Sequence, residues 1–245
     1  QEAISIRNNV LLTFEKLIIE KSRSDDGNWN IVIVGSGPTG VELAGAFSEM
    51  KKEILPRDYP HMNFENFNII LVSATENPLS NMSEESQTKS EEYLKQLGVD
   101  FMHSERVVDY DGDKVFLASG KTISSNNVIW AAGVTGNILK GLEENTMFKN
   151  RYIVDRFNKI KGTENIFAIG DIAYMETPIY PTGHPQVANV AINQGKNLAR
   201  NFMKKMVKDW QEYEYNDQGS MATIGKHRAV VDLPKLKFQG FLAWY

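Results

Sequence analysis

The fold of this chain is decided by the stretch Ile31-Val32-Ile33-Val34-Gly35-Ser36-Gly37-Pro38-Thr39-Gly40-Val41-Glu42-Leu43-Ala44-Gly45. An apolar β-branched run, three spaced glycines and a small-residue helix predict a strand–turn–helix over residues 31–47. Gly35 permits the tight turn, Gly37 admits a nucleotide pyrophosphate to the backbone, and Gly40 lets the helix pack close to the strand. The phosphates would then lie at the helix N-terminus, where free N–H groups favour anions.

Composition is that of an ordinary globular protein. The chain has 245 residues, 42% of them hydrophobic and 24% charged, which suits one large or two modest domains. A net charge of -4 argues against a nucleic-acid partner. The absence of cysteine excludes disulfides, thiolate metal sites and cysteine catalysis from this chain. No metal is predicted, because no metal-ligand spacing links the four histidines, His61, His103, His184 and His227.

Hydrophobic periodicity predicts alternating strands and helices. Buried strands are expected at Ile31–Val34, Ile69–Val72, Val128–Ala132 and Ile166–Ile169. Helices are expected at 2–20, at Val41–Ile54 before Pro56, at Ser83–Leu97 between a Ser83 cap and a Gly98 stop, and at Gln186–Val207. An antiparallel meander is expected from Val107–Tyr110, Val115–Ala118 and Thr122–Ile123, followed much later by a strand-rich tail from Tyr213. Trp130 is predicted to pack in the core.

The end of the second strand bears on nucleotide choice. A ribose-binding acid is expected near Ser73, which is not acidic. Glu76 lies three residues later and is interpreted equally as a ribose contact or a solvated loop residue. Residues 73–77 contain no Arg or Lys to hold a 2′-phosphate, which favours NAD over NADP.

A second nucleotide signal is Asn165-Ile166-Phe167-Ala168-Ile169-Gly170-Asp171. A carboxylate there can accept hydrogen bonds from sugar or ribityl hydroxyls, or it can cap the following turn. Bare sequence leaves both roles open for Asp171.

Four motifs together resemble flavoproteins with two dinucleotide-binding domains, the pyridine nucleotide-disulfide oxidoreductase-like superfamily. They are GSGPTGVELAG (35–45), the meander after 99, VIWAAGV (128–134) and NIFAIGD (165–171). The resemblance covers nearly the whole chain and implies a Rossmann-like three-layer (β/β/α) α/β fold with a parallel sheet and an antiparallel meander. In that family NAD(P)H binds an inserted domain and FAD the outer one, which implies that Asp171 contacts FAD.

A finer resemblance is to the type II NADH:quinone oxidoreductases. It rests on the opening helix Ala3–Glu15, on Pro185–Gly195, which is similar to an AQxAxQQG segment near flavin and quinone, and on Gly219–Trp244. Asn189 and Asn193 stand where that family usually has Gln, and Ser73 where it has an acid. The family's first FAD fingerprint and its membrane-binding end have no counterpart here. With Gln1 in place of Met, we expect a piece of a longer protein.

The resemblance implies NAD and FAD as cofactors and quinone as acceptor, with Glu42 as the catalytic residue near the nicotinamide–flavin junction. The alternative role of Glu42 is that of a carboxylate near a helix N-terminus, stabilised there by the helix dipole. Quinone contacts are implied at Asn193 and Gln194. Cofactor contacts are expected at Gly35, Ser36, Gly37, Pro38, Thr39, Gly40, Ser73, Glu76, Ala132, Gly133, Gly170, Asp171, Ala188 and Asn189.

The expected domains are a connecting helix (1–28), an NAD(P)H-binding domain (29–135), the C-terminal part of an FAD-binding domain (136–208) and the start of a strand-rich region (209–245). The resemblance also implies a cytoplasmic protein peripheral to the inner face of the membrane, and leaves a homodimer open. His184 is interpreted as a solvated or hydrogen-bonding loop residue, or as a functional one. Lys204, Lys205 and Lys208 are interpreted as a solvated face or as attracted to anionic lipid.

Two other functions stay open on sequence alone. One is a soluble flavoprotein reductase with a protein acceptor such as a ferredoxin, which the GSMATIG…GFLAW tail disfavours. The other is a module that binds NAD without turnover.

Overall fold

The chain forms two compact units. A computed structural model describes residues 2–20, 29–61 and 63–245. The first unit comprises residues 1–132 and 219–245, and the second comprises 133–218. This division places residues 219–245, the tail, in the same unit as the glycine turn. The predicted boundaries instead made 209–245 a separate region. Residues 1 and 21–28 of the predicted connecting segment lie outside the described part.

The helices and strands follow the predicted alternation. The helices are α1 (Glu2–Glu20), α2 (Pro38–Glu49), α3 (Leu55–Asp58), α4 (Glu84–Leu97), α5 (Ala188–Phe202) and α6 (Phe241–Trp244). The strands of the first unit are β1 (Trp29–Val34), β2 (Phe67–Val72), β3 (Val99–Met102), β4 (Val107–Tyr110), β5 (Lys114–Leu117), β6 (Thr122–Ser124) and β7 (Asn127–Trp130). Those of the second are β8 (Met147–Phe148), β9 (Arg151–Ile153) and β10 (Ala173–Tyr174), and those of the tail are β11 (Ser220–Thr223), β12 (Ala229–Asp232) and β13 (Lys237–Gly240).

A parallel sheet of order β3-β2-β1-β7 is the centre of the first unit. Ile31 and Ile33 of β1 pack in the cluster that contains the α2 and α4 side chains. Val32 and Val34 pack instead in the cluster that contains the β4 and β5 side chains. Because both faces of β1 are covered, its sequence is apolar without alternation. The fold class is therefore confirmed, with helices, parallel sheet and meander as the three layers.

Local signals on α4 and the meander are confirmed. The Ser83 hydroxyl accepts a hydrogen bond from the N–H of Ser86, and Gly98 ends the helix in the left-handed conformation at φ 80°. Strands β4, β5 and β6 pair antiparallel. Gly112 and Gly120, with φ of 108° and 85°, lie in the two turns between these strands.

Two predicted helices have different ends. Helix α2 begins at Pro38 and runs through a π-helical turn at Met50–Ile54 into α3, whose first turn contains Pro56. Proline is tolerated there because the first turn of a helix leaves its N–H groups without intrahelical partners. Helix α5 ends at Phe202 rather than Val207.

The predicted strand at Ile166–Ile169 is wrong. Within the described residues, this segment makes only an isolated bridge between Phe167 and Lys159. A strand needs a partner along its length, and none of the described strands runs beside it. The second unit instead has a small sheet of order β10-β9-β8.

The tail packs against the rest of the first unit. Strands β11, β12 and β13 form an antiparallel sheet. The carboxylate of Asp232 accepts hydrogen bonds from the N–H and hydroxyl of Ser83, at 2.6 and 2.9 Å, and from the hydroxyl of Ser86 at 2.7 Å. A β-carbon on Gly45 of α2 would lie 2.5 Å from the nitrogen of Gly225. The two segments therefore approach closely because Gly45 carries no side chain.

Across the described ranges, no helix combines the length and hydropathy needed to cross a membrane.

Candidate functional site

Gly35 makes the turn at the end of β1. Its φ is +105°, and a β-carbon there would lie 2.7 Å from the Cα of Ala132. Its N–H donates to the carbonyl of Val72 at 2.8 Å. The residue thus turns the chain between the ends of the neighbouring strands β2 and β7, which requires glycine.

Gly37 and Gly40 differ in what surrounds them. A β-carbon on Gly40 would overlap the carbonyl oxygen of Gly35, so Gly40 allows the turn to close on itself, with Leu71 as the next neighbour at 3.6 Å. No described atom lies within 4 Å of the position a Gly37 β-carbon would take. Gly37, Pro38 and Thr39 are exposed. The space over the turn is therefore open.

The N-terminus of α2 has unpaired donors. Gly37 is the N-cap and supplies no side-chain cap, and Pro38 carries no N–H. In the part of the chain that the structure describes, the N–H groups of Thr39 and Gly40 donate to no backbone carbonyl. Val41 is the first to bond, to the oxygen of Gly37 at 3.0 Å. Orphan N–H groups at the positive end of the helix dipole form an anion site.

The hydroxyls of Ser36 and Ser73 bond to each other. Their oxygens lie 2.6 Å apart, and that of Ser73 lies 2.8 Å from the hydroxyl of Thr75. Both serines are buried. A cofactor contact that needs the hydrogen of either hydroxyl would compete with this network, whereas an oxygen lone pair can still accept a hydrogen bond.

Glu76 lies on the exposed loop after β2. The Nδ1 of His103 donates to the carbonyl oxygen of Glu76 at 2.6 Å. The N–H of Ser104 donates to the carbonyl of Thr75 at 3.1 Å. Because its backbone is held at both points, the loop presents the Glu76 side chain to solvent.

The end of β7 lies beside the turn. Gly133 has a φ of +78° with no described atom near its β-carbon position, and Ala132 contacts Gly35. The predicted core role of Trp130 is wrong. Its side chain is 63% exposed and donates from Nε1 to the carbonyl of Ala132 at 2.9 Å.

Glu42 lies on the exposed face of α2. Its Oε1 accepts from the N–H and hydroxyl of Thr223 in the tail, each at 3.4 Å. The tail thus orients the predicted catalytic carboxylate, a contact between residues far apart in the sequence.

The turn carrying Asp171 is braced by two glutamines. Gly170 has a φ of +71°, and its N–H donates to Oε1 of Gln194 at 2.8 Å. The Nε2 of Gln186 donates to the carbonyl of Asp171 at 2.9 Å. Asp171 is exposed. The brace leaves its carboxylate directed to solvent on a fixed turn.

Residues 188–194 contain four of the residues predicted to contact flavin or quinone. Asn189 and Asn193 are four residues apart on α5 and lie on one face, partly buried. Ala188 is exposed in the first turn. Gln194 is fully buried, and its Oε1 accepts the hydrogen bond from Gly170. Its contact with quinone stays a prediction.

His184 is buried rather than a solvated loop residue. Its ring packs edge-on against Tyr180 and Tyr213, with centroids 5.2 and 5.4 Å apart. Burial lowers the pKa of His184 and outweighs the opposing effect of Glu214, 3.5 Å from Nε2. Burial also raises the pKa of Tyr213 to about 12. The spacing of these residues along the chain does not reveal this cluster.

Residues 2–20, 29–61 and 63–245 contain no group of three or more His, Asp or Glu side chains placed to hold a metal ion.

Comparison with known proteins identifies the family. The family model described as pyridine nucleotide-disulphide oxidoreductase matches residues 13–195. The chain belongs to this family. Type II NADH:quinone oxidoreductase NdhA of Mycobacterium tuberculosis is 30% identical over 260 residues, covering 99% of this chain and 54% of the relative. The type II NADH:quinone oxidoreductase of Staphylococcus aureus is 29% identical, covering 84% of this chain and 52% of the relative.

A solved structure of similar fold is NDH2 from Plasmodium falciparum in complex with NADH. It matches with a TM-score of 0.82 at 17% identity, over 95% of this chain and 65% of that one. The chain thus spans about half the length of the curated relatives it matches.

Proposed function

We propose that this chain is the NADH-binding part of an NADH:quinone oxidoreductase that passes a hydride from NADH to FAD and then electrons to quinone. The open, uncapped glycine turn at Gly35–Gly40 carries this proposal. The two curated relatives named above, both type II NADH:quinone oxidoreductases, support it.

The residues of the turn fit a dinucleotide. The N–H groups of Thr39 and Gly40 are free to receive a pyrophosphate oxygen, and the space beside Gly37 admits it. Glu76, exposed on the loop after β2, is the carboxylate available for the ribose hydroxyls, because Ser73 is not acidic. A 2′-phosphate would be repelled by that carboxylate, which favours NADH over NADPH.

The second unit offers residues that fit FAD. When bound, FAD would supply the hydride acceptor and the electrons for quinone. Asp171 would accept hydrogen bonds from its hydroxyl groups, since Gln194 and Gln186 hold that turn in place. Ala188 and Asn189, at the start of α5, would lie beside it. Asn193 would contact quinone.

Glu42 would act at the nicotinamide end of the site. Its carboxylate, held by Thr223, would orient the nicotinamide or carry a proton. We further propose that the whole protein is cytoplasmic and peripheral to the inner face of the membrane, with a homodimer as an open alternative.

Titration of the 245-residue chain with NADH tests the nucleotide site directly, because binding requires neither flavin nor quinone. We expect saturable binding that ADP-ribose displaces. Absence of binding by the folded chain would contradict the proposal.

Replacement of Glu42 tests the catalytic role in the whole protein. Glu42→Gln should lower NADH oxidation and quinone reduction while NADH still binds. Glu84→Gln, another exposed helical glutamate, is the matched control. Equal rates for Glu42→Gln and wild type would remove Glu42 from catalysis.

A further inference from the structure

The loop after β2, which carries Glu76, is joined at both ends to the glycine turn. We call residues 73–79 the ribose loop. The hydroxyl oxygen of Ser73 lies 2.6 Å from that of Ser36, and the N–H of Leu79 donates to the carbonyl of Ser36 at 2.8 Å. The ends of the ribose loop are therefore fixed to the segment that would hold the pyrophosphate.

Glu76 lies in the middle of the ribose loop, between those two ends, and its side chain is exposed. The preceding residue, Thr75, is fixed by two local bonds. Its N–H donates to the hydroxyl of Ser73 at 3.2 Å, and its own hydroxyl donates to the carbonyl of Asn77 at 2.8 Å. The turn is shaped by these bonds, but none of them is made by Glu76.

His103, in the loop after β3, supplies the contact to Glu76 itself. Its Nδ1 lies 2.6 Å from the carbonyl oxygen of Glu76, and Nδ1 carries the hydrogen because a carbonyl oxygen can only accept. The imidazole lies against the ring of Phe101, with centroids 4.2 Å apart. Its Nε2 lies 3.6 Å from Oε1 of Glu91 on α4. The donor is thus fixed by contacts from both β3 and α4.

The backbones of the two loops are joined separately from this imidazole. The N–H of Glu105 donates to the carbonyl of Ser73 at 2.7 Å, and the N–H of Ser104 donates to the carbonyl of Thr75 at 3.1 Å. These bonds do not involve a His103 side-chain atom. Loss of the imidazole would therefore release the backbone of Glu76 while the loops stay paired.

We propose that His103 is a positioning residue that, through the carbonyl of Glu76, directs the Glu76 carboxylate at the adenosine ribose and so sets the preference for a free 2′-hydroxyl over a 2′-phosphate. The proposal rests on the proposed function, because it takes Glu76 as the ribose contact. A carboxylate held in the bound orientation accepts the hydroxyl hydrogen bond without a further loss of conformational entropy.

A purely structural role for His103 would have a different signature. If the imidazole only stabilised the two loops, its loss would weaken the binding of every nucleotide to a similar extent. A positioning role acts on the ribose contact alone. Its loss therefore weakens the ligand that has a 2′-hydroxyl and leaves ligands without that group almost unchanged.

Two substitutions of similar size separate the donor from the side-chain volume. Asparagine places its Nδ2 where histidine has Nδ1, since both atoms are bonded to Cγ, whereas leucine has no donor there. In titrations of the 245-residue chain, His103→Leu should bind NADH about tenfold more weakly, and His103→Asn should stay within about threefold of wild type. His61→Leu, at an exposed histidine elsewhere, is the matched control and should bind as wild type does.

Two further ligands test whether the effect belongs to the 2′-hydroxyl. NADPH and NADH with a 2′-deoxyadenosine half both lack this hydroxyl but keep the pyrophosphate and nicotinamide. Their affinities should change by less than about threefold in His103→Leu. Glu76→Ala should also weaken NADH, and the double variant His103→Leu/Glu76→Ala should be no weaker than Glu76→Ala alone, because both changes remove the same contact.

Three results would overturn the inference. They are wild-type NADH affinity in His103→Leu while Glu76→Ala binds more weakly, equal weakening of all three nucleotides by His103→Leu, and additive losses in the double variant. Each of them leaves the proposed function standing. Failure of the folded wild-type chain to bind NADH would instead contradict the proposed function, and the inference with it.

Discussion

The buried side-chain oxygen of Gln194 accepts a hydrogen bond from the main-chain N–H of Gly170 at 2.8 Å. This bond links the middle of α5 to the turn that carries Asp171. The geometry of the proposed FAD contact therefore depends on an amide that is itself inaccessible to solvent.

Gln194→Leu should destabilise the second unit, because it leaves the N–H of Gly170 without its acceptor. We expect a loss of about 1–3 kcal/mol in the free energy of unfolding. Urea denaturation of the 245-residue chain measures it. Gln96→Leu, on the exposed face of α4, is the control and should change stability by less than about 0.5 kcal/mol. Equal stability of the two variants would mean that the hydrogen bond between Gly170 and Gln194 does not contribute to the free energy of unfolding.

Gly40→Ala and Gly37→Ala should separate folding from binding. The first places a methyl group on the carbonyl of Gly35 and should cost about 3 kcal/mol or more in unfolding free energy. The second meets no described atom, so the fold should be retained, while the methyl group enters the proposed pyrophosphate path. NADH affinity should then fall about tenfold or more, a change of about 1.4 kcal/mol.

Thermal unfolding and NADH titration of both variants check this prediction. Full NADH affinity in a folded Gly37→Ala variant would place the nucleotide elsewhere.

The first unit could be predicted from sequence because its signals are local. The apolar run of β1, the Ser83 cap and the glycine turns of the meander each act within a few residues. The place of the tail could not be predicted in this way. It depends on Asp232 reaching Ser83, residues 149 apart in the chain.

Asp232 should make stability depend on pH. Burial alone would raise the pKa of this carboxyl, but hydrogen bonds from Ser83 and Ser86 outweigh it, so the pKa is lowered. The stabilisation is then fully present above the unfolded value of about 3.9 and is lost as pH falls through the lower folded value.

Asp232→Asn should therefore lose about 1–2 kcal/mol at pH 7, with a smaller difference from wild type near pH 3. Urea denaturation at both values measures the change. Asp113→Asn, at an exposed position of the meander, serves as the control. A deficit that is the same at both pH values would show that the charge of Asp232 is not involved.

His184 should destabilise the second unit in mild acid. Burial lowers the pKa of its imidazole, so the unfolded chain binds a proton at about pH 6.5 while the folded chain does not. The unfolded state holds more protons in that range, and stability falls as pH drops below about 6.5.

His184→Phe keeps an aromatic ring beside Tyr180 and Tyr213 and should flatten this decline. Unfolding free energies between pH 7.5 and 5 for wild type, His184→Phe and the exposed control His61→Phe check it. A decline of unchanged slope in His184→Phe would assign the acid sensitivity to another group.

The candidate site was only partly predictable. Glycine spacing correctly indicated the turn, since Gly35 and Gly40 each meet a steric need of the backbone. The burial of Ser73, Gln194 and His184 was not predictable. A hydroxyl, amide or imidazole is expected at the surface unless a buried hydrogen-bond partner for it is known. Those partners come from other elements of the fold.

The division of the first unit into residues 1–132 and 219–245 has a consequence for biosynthesis. The second unit is continuous in sequence and can be completed while the ribosome is still adding the tail. The close approach of Gly45 to Gly225 must wait until some 180 further residues have been made. We therefore expect the nucleotide unit to begin folding before the second unit during translation and to be completed after it.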